Sequence, residues 1–451
     1  MRWIVIFILA LVFAACASRY TVPQSYKALE VQLPVESPRT VVLFLIDGLP
    51  VDTLKQALRE NALPNIQQHF LSSGRKLYKA HTVFPSLTYP SISSLLHAEP
   101  VSKTQALGNS IVQKGRLIHF ESMTDREHFS DEMRGNNVFT RLTELQKSSV
   151  SLDYGLGVDA SVAAETVDLK SGLAAEFKDY LYLDQKKLAS LKLLLQSSSV
   201  EHWPSFIFVH LVGVDFLSHQ HGSESAIVSR YLKSLDSSLS EVFQLLKQGE
   251  NRKPVISMLS ADHGFRPRTN HYVDIDKAAA GADNKLRVIN EARMAALYYP
   301  LIPSAEMQGQ WARKLLAVSQ VEAVAYRSGS KITLATRSKQ ISVDIVNGPG
   351  CAFETGAISI NGGALSCPEA LDPISQNLLF PYFIQNMTYY FQAEKHPDMV
   401  VIPAANAAFS KAEVGYHGGP TAEEVYVPLL LRNAVLGEGQ VPALWDLLKF
   451  L

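Results

Sequence analysis

The sequence predicts an α/β fold: a mostly parallel central sheet sandwiched by helices, with a smaller α+β lobe inserted late in the chain. Three observations carry this. Short apolar runs without polar alternation recur along the chain, as strands buried on both faces require. Helical patterns lie between those runs, and that alternation marks an open α/β sheet. From 301 to 397 the pattern changes, and "VEAVAYRSGSKITLATRSKQISVDIV" alternates apolar and polar residues around turn residues, as antiparallel strands do.

The chain begins apart from that core. "MRWIVIFILALVFAACAS" sets Arg2 before an apolar run too short to span a bilayer but suited to an export signal. Residues 1–15 read as a signal peptide. "FAAC" resembles a bacterial lipobox, which makes Cys16 the lipidated residue and 16–40, with Pro23, Pro34 and Pro38, a tether. The reading is an exported lipoprotein on the periplasmic side or surface of the outer membrane. Cys351 and Cys367 bracket a glycine-rich loop that one disulfide would close in an oxidising compartment.

The strand candidates follow in order: "VVLFLI" (41–46), "FIFVHLV" (206–212), "VISML" (255–259), "MVVI" (399–402) and "YVPLLL" (426–431). Between them, Ile227, Tyr231, Leu235, Leu239, Val242 and Leu246 form one stripe at helical spacing, with Gly249 as a stop. The core therefore occupies 41–300 and 398–451, and the lobe 301–397. With a net charge of -1, the totals contain no basic face for nucleic acid, so only nucleotides as substrates stay open.

Ligands of open α/β sheets collect at the carboxyl ends of the strands. There the first run ends in Asp47-Gly48. The second leads to Asp215 with His219 one turn on. The third ends in Asp262-His263-Gly264, and "GYHGGP" presents His417 before the last strand. Three aspartates and three histidines at one edge repel one another unless cations sit among them. The mixed nitrogen and oxygen set suits zinc better than magnesium or calcium, and six ligands suffice for two ions. A zinc-held hydroxyl can attack without a histidine base. "FPSLTYPSISSLL" offers Ser86, Thr88, Ser91, Ser93 and Ser94, of which Thr88 is best placed, at a turn that opens a helix.

The ordered set "LIDGL", "FPSLTYPS", "VDFLSH", "SADHGF" and "YHGGPTAEEVYVPLLL" resembles the alkaline phosphatase superfamily, in its type I phosphodiesterase / nucleotide pyrophosphatase branch. The resemblance implies an alkaline phosphatase-like core. It makes Thr88 the nucleophile of a covalent phosphothreonine intermediate, with Asp47, Asp262 and His263 on the metal that activates it. Asp215, His219 and His417 then hold a second metal at the leaving oxygen, and Asn109 donates to a phosphate oxygen. The expected substrate is a small-molecule, lipid or glycan phosphodiester. Phosphomonoester or phosphonate hydrolysis, and a non-catalytic surface lipoprotein that keeps the fold, are the alternatives. Ser91 and His97 depart from the branch's pattern, which places specificity near them and in the lobe, where Lys331 or Arg337 would supply a cation. His210, His221 and His271 lie near the motifs and read as structural or substrate-adjacent.

Overall fold

A computed structural model describes residues 38–451, except 73–74, 114–115, 121, 123–124, 126–127, 130–134, 154–155, 164–178, 338–339, 347–356, 361–362, 366–379, 437–440 and 450. The readings of a signal, a lipidated Cys16, the tether as far as residue 37 and a Cys351–Cys367 disulfide fall outside the described residues. No helix among the described residues is long and apolar enough to cross a membrane.

The central sheet has seven strands in the order Tyr78–His81, Tyr426–Arg432, Val255–Ser260, Thr40–Ile46, Phe206–Leu211, Ser149–Leu152 and Val162–Ala163. Pairing is parallel from Val255–Ser260 through to Val162–Ala163. Tyr426–Arg432 alone runs against both of its neighbours. The sheet is mostly parallel, as the sequence predicts. Its middle strand, TVVLFLI, is buried at every position. Helices Val51–Arg59, Thr88–His97, Tyr180–Ser197 and Ala226–Gly249 add their apolar faces to the same core cluster. The long helix ends at Gly249, and its buried stripe starts at Val228 instead of Ile227.

A second sheet of eight strands runs Arg287–Asn290, Ala295–Tyr298, Met399–Pro403, Val321–Ser328, Lys331–Thr336, Gln340–Val346, Ala357–Ile360 and Gly363–Leu365. All its pairings are antiparallel. Two expectations are corrected here. The lobe's sheet reaches beyond 301–397 at both ends. "MVVI", read as a core strand, belongs to it. The physical reason is that Met399–Pro403 is covered on both faces: Val400 and Ile402 join one apolar cluster, Met399 and Val401 another. A strand buried on both sides reads as a continuous apolar run whichever way its neighbours point.

Two core histidines make stability depend on pH. Burial lowers His69 to about 3 and His81 to about 4. His69 stacks on Phe243 and His81 on Tyr382, with ring centroids 4.2 and 3.7 Å apart. Both stay neutral in the folded chain, while the unfolded chain protonates them near pH 6.5. Their contribution is therefore whole above pH 6.5 and is lost as pH falls towards those lowered values, at ~1.4 kcal/mol per pH unit for each group. Urea midpoints at pH 7.5 and pH 5 should differ in that direction, and His81→Phe should show a shallower acid loss. An unchanged slope would refute the assignment to His81.

Candidate active site

Register brings the site together. Leu45 lies opposite both His210 and Ser260, and Ile46 lies opposite Leu211, so three adjacent strands end level. Asp47 follows the first, Asp262 stands two residues past the second, and the helix Gly213–His221 carries Asp215 and His219 past the third. Gly48 has φ +64°, and a Cβ there would come within 2.8 Å of the Asp215 carboxylate, so the turn after Asp47 admits only glycine.

Each imidazole has its outer nitrogen engaged. Nδ1 of His263 donates to the Gly264 carbonyl at 2.9 Å and Nδ1 of His417 to Ser86 O at 3.0 Å. His219 Nδ1 donates to Gly415 O at 3.2 Å, with Glu413 Oε2 2.7 Å from the same nitrogen. All three Nε2 atoms face inward, and the rings of His263 and His417 stack at 3.6 Å. The carboxylates are held in a similar way. Asp262 Oδ1 accepts Gly48 N–H at 3.1 Å and Asp47 Oδ2 accepts from His210 Nε2 at 2.8 Å. Their other oxygens, Asp262 Oδ2 and Asp47 Oδ1, are buried with no hydrogen-bond partner among the described residues by distance and angle.

The inward atoms have ligand spacing. His263 Nε2 lies 3.4 Å from Asp47 Oδ1, 3.3 Å from Asp262 Oδ2 and 3.2 Å from Thr88 Oγ1. His219 and His417 Nε2 are 3.1 Å apart, and each is 3.5 Å from an oxygen of Asp215. The edge of a tetrahedron with metal–ligand arms of ~2.0 Å is about 3.3 Å. Asp215, His219 and His417 form one group able to hold an ion, Asp47, Asp215 and His263 a second, and Asp47, His210 and Asp262 a third, so the sets adjoin.

Electrostatics agree with the geometry. Burial, and then the charge of Asp215, holds the Asp47 carboxyl well above the usual range. Burial and then Asp47 do the same to Asp262. Burial lowers His263 to about 3, and burial followed by His263 and His219 lowers His417. Packed carboxylates and neutral imidazoles are the state that a bound cation stabilises most.

Thr88 opens the helix Thr88–His97, two residues ahead of the proline expected to start it. Asn109 sits beside it, its Oδ1 accepting Tyr89 N–H at 3.3 Å. The structure thus brings together Thr88, Asn109 and all six aspartate and histidine candidates. Others fall elsewhere. Ser91 is fully buried and accepts from Thr82 at 2.8 Å, so it faces the interior and not a substrate. His97 turns back onto Ser93 O at 2.9 Å. Arg337 donates to Val318 O inside the lobe. His221 and His271 are exposed.

Sequence reasoning missed His210 as a partner of Asp47, Glu413 beside His219, and a clip that joins the Thr88 turn to the His417 loop. In that clip Ser86 Oγ donates to Gly419 O at 2.7 Å and accepts Gly418 N–H at 3.2 Å. Glu424 accepts Gly419 N–H at 2.9 Å and is itself paired with Arg293. Only His210 left a signal, as the single polar residue of an apolar strand.

Residues 41–340 match the type I phosphodiesterase / nucleotide pyrophosphatase family. The chain belongs to that family. It is thereby placed among phosphoric ester hydrolases, and the matched span includes every candidate above except His417, which the later chain folds back to supply. A comparison of this phosphodiesterase-family sequence with curated proteins finds no match. Among solved structures, phosphonoacetate hydrolase from Sinorhizobium meliloti 1021, in complex with phosphonoformate, is similar in fold. Its TM-score is 0.60 at 15% identity, over 93% of this chain and 96% of that one. Human ectonucleotide pyrophosphatase / phosphodiesterase 5 is similar with a TM-score of 0.56 at 12% identity, over 91% and 93%.

Proposed function

We propose that this family member is a zinc-dependent phosphodiesterase in which Thr88 attacks phosphorus. Asp47, Thr88, Asp262 and His263 would hold one ion, and Asp215, His219 and His417 a second. Bound zinc would supply Lewis acidity, lowering the pKa of the Thr88 hydroxyl and offsetting charge on the departing oxygen. The chain's own groups do the rest. The helix start at Thr88 favours an anion beside it. Asn109 has its amide oxygen on Tyr89 N–H, which fixes the side chain that would donate to a phosphate oxygen. The Thr88 Oγ1–phosphorus bond forms as the ester bond to the leaving alcohol breaks, and water then hydrolyses the phosphothreonine and restores Thr88. Asn109 is a neutral donor, which supports a singly charged diester over a doubly charged monoester.

The observation that carries this reading is the cluster itself: Thr88 Oγ1 3.2 Å from His263 Nε2, beside two buried carboxylate oxygens with no hydrogen-bond partner among the described residues. The test compares bis-p-nitrophenyl phosphate, p-nitrophenyl phosphate and phosphonoacetate with zinc and then with chelator. Chelator-sensitive release from the diester is expected. Release from the monoester or the phosphonate alone would reassign the substrate class, and release from none would leave a binding protein.

A further inference from the structure

His210 interrupts a strand that is otherwise apolar. Phe206–Leu211 reads FIFVHL and is buried at all six positions. Nδ1 of this ring has no hydrogen-bond partner among the described residues. A half-satisfied buried imidazole burdens a fold, and such groups call for an explanation. Among the described residues, its one side-chain bond is to Asp47, whose Oδ2 accepts Nε2–H at 2.8 Å.

The surroundings hold His210 in place for that bond. Its strand lies beside Thr40–Ile46, and Asp47 N–H donates to Leu211 O at 2.9 Å. From behind, the buried Lys187 donates to the His210 carbonyl and stands 3.9 Å from Asp184. Asp184 accepts the N–H groups of Val212 and Gly213 at 3.0 Å each, where the helix bearing Asp215 and His219 begins. Backbone and side chain of residue 210 are both tied, and the ring points at one oxygen.

We propose that His210 is a positioning residue for the first metal ion. By holding Oδ2 of Asp47 it turns Oδ1 towards His263 and Asp262. This rests on the two-ion reading given above. Buried partners that orient a ligand account for much of a site's metal affinity. Asp47, His210 and Asp262 also lie close enough together to hold an ion. The 2.8 Å between His210 Nε2 and Asp47 Oδ2, however, is a hydrogen-bond length, shorter than the edge of about 3.3 Å between two ligands of one tetrahedral zinc, which favours a partner of the carboxylate over a ligand.

The test measures zinc stoichiometry by elemental analysis and zinc affinity by competition with a chromophoric chelator, on the full chain. His210→Gln keeps an N–H at a similar reach and should bind two ions about as tightly as the unmodified chain. His210→Leu should keep one ion at full affinity and hold the other roughly 10–100-fold more weakly. The same loss is expected in a His417→Ala background, where the first ion alone is held firmly. Thermal melts by circular dichroism check the fold, and if the leucine chain does not fold, His210→Ala is scored in its place.

Equal affinities in the unmodified and leucine or alanine chains would overturn the inference and leave the two-ion reading intact. So would a parallel weakening of both ions, which marks a merely structural role. A third ion that disappears with His210 would also overturn it, making the residue a ligand. An unmodified chain that takes no zinc would remove the two-ion reading and this inference together.

Discussion

Thr88→Ala is expected to abolish turnover and to leave bound metal in place. Removing a nucleophile typically costs a factor on the order of 10⁴ or more in kcat, because the covalent route closes and only electrostatic assistance to water remains. The structural cost should be small, since Thr88 is half-buried at the first residue of its helix and alanine is a good helix former. Asp47, Asp262 and His263 would still present three ligands to the first ion of the proposed pair, enough to retain it. The neighbouring hydroxyls offer little substitution. Ser86 Oγ is engaged with Gly418 and Gly419, and Ser91 Oγ with Thr82. Diester hydrolysis and zinc content measured on the same preparation decide the matter. Full turnover would move the nucleophile elsewhere, and loss of both turnover and zinc would show that Thr88 is needed to hold the ion.

Arg293→Met should destabilise the chain by about 3–5 kcal/mol, because it strands a carboxylate in the interior. Arg293 and Glu424 are fully buried and paired twice, Nε to Oε1 at 3.0 Å and Nη2 to Oε2 at 3.2 Å. Arg293 also donates to the carbonyls of Ala404 and Ala407, which closes its fork. Glu424 in turn holds Gly419 N–H and the Thr421 hydroxyl, at 2.9 and 2.7 Å, and so shapes the loop that presents His417. Part of the effect should be local: the second ion should bind more weakly even where the fold survives. Urea unfolding measures the first effect and zinc competition the second. The double variant Arg293→Met/Glu424→Gln removes the stranded charge and should recover much of the lost stability. A double variant as unstable as the single one would show that packing and not charge sets the loss.

The two predictions differ in how far sequence could see them. Thr88 is legible because its motif is local: a run of hydroxyls, a proline and a helix start within a few residues. The aspartates are legible because a strand's end shows in sequence and the edge of a parallel sheet is where ligands gather. Arg293 and Glu424 are 131 residues apart, and neither stands in a pattern that names the other. His210 and Asp47, 163 residues apart, meet only because their strands are neighbours in register. The membership of "MVVI" was hidden for a related reason. An apolar run reports how deeply a strand is buried and says nothing of which sheet buries it.

By itself the sequence determined the α/β class, the mostly parallel core and the family, because hydrophobic periodicity and short ordered motifs are properties of neighbouring residues. Only the tertiary structure decided which oxygen of each aspartate faces inward, which nitrogen of each histidine is engaged, and that Ser86, His210, Glu413 and the Arg293–Glu424 pair stand around the candidate ligands. Those are matters of direction and partnership between distant segments. Strand register and close packing set them, and both come into being only when the chain closes on itself.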